Sequence, residues 1–129
     1  MKNLAVAFMM VALLFGVASA KDYEVKKKAG DLDVTARIDK NPPVVGDNNI
    51  SVEISDASGK PVTDAKVVVE YSMPAMPNMP AMNYKTDTEL RGSAYKATMN
   101  LSMSGPWNIA IKISRAGKTS TAKFSFDIR

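Results

Sequence analysis

Cysteine and histidine are both absent from the 129 residues. Without cysteine there is no disulfide, so an apolar core must hold the fold, and there is no thiol nucleophile. Without histidine there is no Ser-His-Asp triad, and lacking both residues the chain has no conventional zinc site. No Gly-rich phosphate loop is present either. Carboxylates such as Glu53, Glu70 and Asp127 fall on polar strand positions, where charge simply solubilises. The sequence therefore nominates no catalytic residue, and an enzyme is not expected. Charge of one sign is also scarce, with a formal net charge of only +4. Its one basic run, Lys26-Lys27-Lys28, has no aromatic interleaving. That is a solvated strand edge rather than a nucleic-acid surface.

Long hydrophobic runs are missing except at the start. Lys2 precedes the apolar stretch Leu4–Val17, which ends at Ala18-Ser19-Ala20. A basic beginning, a short apolar middle and an A-x-A site make a secretory signal peptide, with cleavage expected after Ala20. The stretch is shorter than the roughly 18–20 residues of a comfortable membrane span. Residues 21–129 are then one exported domain, periplasmic or extracellular, with no stable membrane insertion after cleavage.

Within that domain, apolar residues alternate with polar ones in short runs. Leu32, Val34, Ala36 and Ile38 set the pattern, followed by Ile50, Val52 and Ile54, then Val67, Val69 and Tyr71. Tyr95, Ala97, Met99 and Leu101 continue it, then Trp107, Ile109, Ile111 and Ile113, and finally Phe124, Phe126 and Ile128. A period of two puts one face of each strand in a core and the other in water. Breaker clusters such as Asn41-Pro42-Pro43, Ser58-Gly59-Lys60-Pro61, Ser104-Gly105-Pro106 and Ala116-Gly117-Lys118 separate the runs. The expectation is all-β, an antiparallel β-sandwich of about seven strands, with Tyr84–Leu90 as one weakly alternating strand.

One stretch departs from this pattern. MPAMPNMPAM, residues 73–82, repeats every three residues, placing Met73, Met76, Met79 and Met82 in series with Pro74, Pro77 and Pro80. Proline removes backbone donors and holds φ near about −65°, which excludes helix interior and central strand. An extended polyproline-like loop, spanning 73–83, is expected. Its four thioethers would share one face, about 9 Å apart, leaning together or folding back to share an ion. Thioether sulfur is soft, uncharged and indifferent to protons, so Cu(I), or Ag(I), is the matching ion. Met103 and Trp107, flanking the Ser104-Gly105-Pro106 turn, are candidate recruits, the indole as a cation–π shield. Each also has an ordinary packing role by parity, as Met99 does.

The chain resembles the YtkA-like/FixH family of exported or membrane-anchored bacterial proteins. The resemblance rests on DASGKPVTDAKVVVEYSMP, on the methionine-proline run, and on GSAYKATMNLSMSGPWNIAIKI with Gly105 and Trp107. It implies an immunoglobulin-like sandwich and an association with copper handling in the envelope, beside oxidase assembly or heavy-metal efflux. It also carries the family's methionines onto Met73, Met76, Met79, Met82 and Met103. Asn83 and Tyr84 follow the loop where relatives often place histidine, which disfavours Cu(II). Two functions remain open: a copper(I)-binding or carrier protein, and a module whose Met/Pro loop docks an envelope protein without metal.

Overall fold

The computed structural model describes residues 22–128; the expected leader at 1–20 lies outside them. Nine strands are present among the described residues, and no helix. In chain order they are β1 (Tyr23–Ala29), β2 (Leu32–Ile38), β3 (Gly46–Ser55), β4 (Lys66–Met73) and β5 (Met82–Asp87). There follow β6 (Glu89–Arg91), β7 (Ala94–Leu101), β8 (Gly105–Arg115) and β9 (Lys118–Ile128). All pairings are antiparallel. One sheet runs β9-β8-β4-β5, the other β1-β2-β3-β7-β6. The all-β sandwich is as expected, with nine strands rather than about seven.

The two extra strands have physical explanations. β1 reads YEVKKKA, and its three lysines mask what alternation it has. It is an edge strand, and lysine on an edge discourages pairing with another chain. The segment expected as one strand, Tyr84–Leu90, is instead divided at Thr88. β5 belongs to the four-stranded sheet and β6 to the five-stranded one. Thr88 donates its hydroxyl to the Val67 carbonyl at 2.8 Å, fixing the place where the chain changes sheets.

Period-two alternation becomes burial with few exceptions. Ile38, Ile50, Val52, Val69, Met99, Leu101, Trp107 and Ile111 are wholly buried between the sheets. Burying one such aliphatic side chain contributes roughly 1.5–3 kcal/mol, so this face supplies the stabilisation that cysteine does not. The β8–β9 hairpin turns on Ala116 (φ 51°) and Gly117 (φ 78°), the left-handed pair that matches strand twist.

Two buried polar side chains anchor loops at opposite poles. Tyr95 donates to the Val62 carbonyl at 3.0 Å and accepts from the Ala65 amide at 3.2 Å, tying down the β3–β4 connection. Asn48, fully buried, donates to the Val44 and Gly46 carbonyls and accepts from the Val44 amide. It shapes the β2–β3 loop at the other pole. There β3, β5 and β8 begin and β2, β4, β7 and β9 end.

Tyr95→Phe leaves one buried carbonyl and one amide without partners. The expected cost is about 2 kcal/mol, since each unsatisfied group costs roughly 1–3 kcal/mol less what water recovers. It is read as a lower urea midpoint at unchanged slope.

Candidate functional site

The β4–β5 register places the methionines. Val69, Tyr71 and Met73 of β4 stand opposite Thr86, Tyr84 and Met82 of β5. Beyond Met73 and Met82 the chain does not run out as a straight polyproline ribbon. It folds back: the Met76 amide donates to the Met79 carbonyl, and the Met79 amide to the Met76 carbonyl, both at 2.9 Å. Residues 73–82 thus form a hairpin extension whose two-residue tip is Pro77-Asn78. The prolines permit this because the only donors the closing bridge needs, Met76 N–H and Met79 N–H, belong to methionines. Pro77 suits the first tip position, where φ near about −65° is required.

Instead of four sulfurs in single file, the hairpin presents two nested pairs, Met73 with Met82 and Met76 with Met79. Directly opposed residues have Cβ atoms about 4.5–5.5 Å apart, against the 9 Å expected along a ribbon. The four are not equally accessible. Met73 shares the inward parity of Val67, Val69 and Tyr71 and is only 1% exposed, in the core. Met76, Met79 and Met82 are half-buried. Met76 and Met82 pack against the core cluster, as does half-buried Met103. Met73 therefore belongs to the strand rather than to the expected loop at 73–83, and its place in β4 dictates an inward side chain.

Gly105, the first residue of β8, receives the hairpin. A Cβ there would lie 3.1 Å from the Met73 methyl, 3.6 Å from the Met76 methyl and 3.9 Å from the Met73 sulfur. Its φ of +127° also favours glycine. Two residues on, Trp107 is fully buried and donates its indole N–H to the Met103 carbonyl at 2.9 Å. This bond holds the β7–β8 turn, and with it Met103, over the tryptophan. Tyr71 and Tyr84 stack at 5.5 Å, and their rings lie 6.2 and 6.3 Å from Trp107. The Tyr84 hydroxyl donates to the Met82 sulfur at 3.6 Å. Tyr84 was not nominated from sequence; its inward parity opposite Tyr71 becomes visible only with the register.

Chemically the assembly is a cluster of neutral sulfur donors over an aromatic base. Among the described residues no group of three His, Cys, Asp or Glu could hold a metal ion. The displaced ionisations involve none of these residues. A hydrogen bond to Glu53 holds the Arg37 guanidinium above its ordinary pKa, on the outer face of the other sheet. Hydrogen bonds from the Ser58 hydroxyl and the Lys60 amide hold Asp56 below the usual carboxylate range, in a turn at the opposite pole. Among the described residues no helix is long and apolar enough to cross a membrane.

The YtkA-like family model matches residues 26–112, and the chain belongs to that family. No curated protein matches the chain. Among solved structures, the crystal structure of a Br derivative of BhCBM56 aligns at 18% identity with a TM-score of 0.44. The alignment covers 80% of this chain and 99% of that one.

Gly105→Ala tests whether the hairpin depends on this close approach. The variant is expected to lose roughly 1–3 kcal/mol, from left-handed backbone strain and from displacing the Met73 methyl. Chemical shifts of the Met73 and Met76 methyl groups should move more than those of Met99, which lies in the core of the other sheet.

Proposed function

We propose that this YtkA-like chain is an exported copper(I)-binding or copper-carrier protein that captures the ion with its methionine hairpin. The observation that carries the reading is the pairing of Met73 with Met82 and of Met76 with Met79. Cross-strand pairing brings thioethers close enough to share one soft ion, which a straight ribbon would not. Half-buried Met76, Met79 and Met82 are the donors an ion meets first. Met73 backs them from the core, and Met103 closes the side nearest Trp107. Soft, neutral sulfur selects Cu(I) or Ag(I) over ions that prefer nitrogen or oxygen. Weak single ligands also suit release, because thioethers exchange one at a time as the ion passes to an acceptor. Export is supported by residues 1–20, and a place beside oxidase assembly or metal efflux by the FixH-like resemblance of the sequence.

A second reading has its own support. Val44 and Val45 are 38% and 49% exposed on the β2–β3 loop, at the same pole as the hairpin. Together with the Met/Pro tip they offer apolar contact to an envelope protein without any metal.

Replacing Met76, Met79 and Met82 by leucine separates the two. Volume is nearly conserved, so folding should be little affected, by less than about 1.5 kcal/mol. Under reducing conditions the natural protein is expected to bind Ag(I) or Cu(I) saturably, and the leucine variant at least about tenfold more weakly. Unchanged ion binding in the variant rejects the copper reading. Docking to a partner would survive the same substitution, since leucine preserves apolar contact.

Thioethers carry no proton to lose between neutral and mildly acidic solution. Ag(I) affinity in a non-coordinating buffer is therefore expected to change by less than about twofold between pH 7 and about pH 5, where a histidine site would weaken. A steep fall on acidification would mean that carboxylates supply the ligands.

A further inference from the structure

The outer face of the β9-β8-β4-β5 sheet differs in shape and charge from that of its partner sheet, whose own depression is smaller, about 610 Å³. It forms an open depression of about 1350 Å³. The register explains the shape. Lys123, Ala110, Glu70 and Lys85 stand side by side across all four strands, so the row dips at Ala110 on β8 between the longer side chains of its neighbours. Ser72, Asn108 and Ser125 make the next row equally low. On the β9 side, β1 of the other sheet raises a wall that carries Lys27. Tyr23 packs edge-on against Phe126 at 5.6 Å and holds that wall in place.

The electrostatics are one-sided. Lys27, Lys85, Lys112 and Lys123 line the depression, against a single acid, Glu70, which is taken up by Lys112 at 3.3 Å. Lys27, Lys85 and Lys123 make no ion pair among the described residues. On the opposite sheet the comparable charges are largely matched, Lys28 with Asp33, Arg37 with Glu24 and Glu53, and Arg91 with Glu89. Lysines that merely solubilise a surface need no such asymmetry.

We propose that this depression docks an extended acidic segment of a protein partner. Four adjacent strands put the Cα atoms of Lys85 and Lys123 about 14 Å apart, at about 4.8 Å per strand. An extended peptide advances about 3.4 Å per residue, so carboxylates four residues apart match that interval. The serine and asparagine side chains of the neighbouring row lie alongside, available to the peptide's backbone. Long-range attraction by the unpaired lysines steers the acidic segment in and sets its direction of approach. The proposal does not rest on metal binding, because none of its residues is a methionine.

The probe is a fluorescently labelled oligoglutamate peptide, followed by anisotropy with the purified protein. Saturable binding that weakens as salt is raised is expected. Lys85→Gln with Lys123→Gln should weaken it about tenfold, the sum expected for losing two exposed ion pairs. Lys26→Gln with Lys28→Gln removes the same charge from the other sheet and should change binding by less than about twofold. No saturable binding, or equal loss in both double variants, overturns the proposal. So does binding of an oligogalacturonate in place of the peptide, which would assign the face to an acidic saccharide. The leucine-substituted hairpin should bind the peptide normally, which keeps this outcome separate from that of the copper reading.

Discussion

The pairing of β4 with β5 is the constraint from which the functional geometry follows. Tyr71 opposite Tyr84 and Met73 opposite Met82 fix where the two strands leave the sheet. From there the M-P-x repeat has only residues 74–81 in which to reverse. A period of three cannot continue a period-two strand, so sheet pairing lapses at Pro74. It resumes once, between Met76 and Met79, where two amide donors remain. Proline thus shapes the hairpin by subtraction: it removes donors at fixed intervals and leaves the methionines to close the turn.

That reversal depends on what lies beneath it. Gly105 has no side chain to keep the Met73 and Met76 methyl groups away. The Trp107 indole is satisfied internally by the Met103 carbonyl, so a buried donor does not disturb the core below. The aromatic group of Tyr71, Tyr84 and Trp107 is stiff, while thioether side chains are flexible and polarizable. Flexible side chains on a rigid base can rearrange without reorganising the sandwich. The cost of ordering falls on a few methionine rotamers rather than on the fold.

Much of this was legible in the sequence because alternation is strong wherever a strand has one wet face. Ile109, Ile111 and Ile113 announce β8, and the parity of Met99 announces its burial. Trp107 likewise reads as a core residue from its position at the head of that run. What escaped were features in which no single segment holds the information. The fold-back of residues 73–82 needs the β4–β5 register, and local proline chemistry alone favours an extended ribbon. The break at Thr88 is set by a hydrogen bond to Val67, twenty-one residues away in sequence. Tyr84 enters the site only through its partner Tyr71. Family membership is shown for residues 26–112, and thioether softness, the three-residue spacing and the family resemblance together nominate the methionines.

The same strand pair also joins the two surfaces that matter. In β5, Met82 and Tyr84 share the parity of the hairpin and tryptophan, while Asn83 and Lys85 are on the outer face. Tyr84 lies at the sheet edge, 41% exposed, where it also borders the depression. In β4, Tyr71 and Met73 face in and Glu70 and Ser72 face out. A slip of one residue would exchange the sets, turning lysine inward and the buried Tyr71 and Met73 outward. The hydrophobic cost of that exchange locks the register, and the locked register keeps the methionine pairs and the basic face on opposite sides of one ribbon. A partner held by the basic face would therefore lie beside the hairpin without covering it.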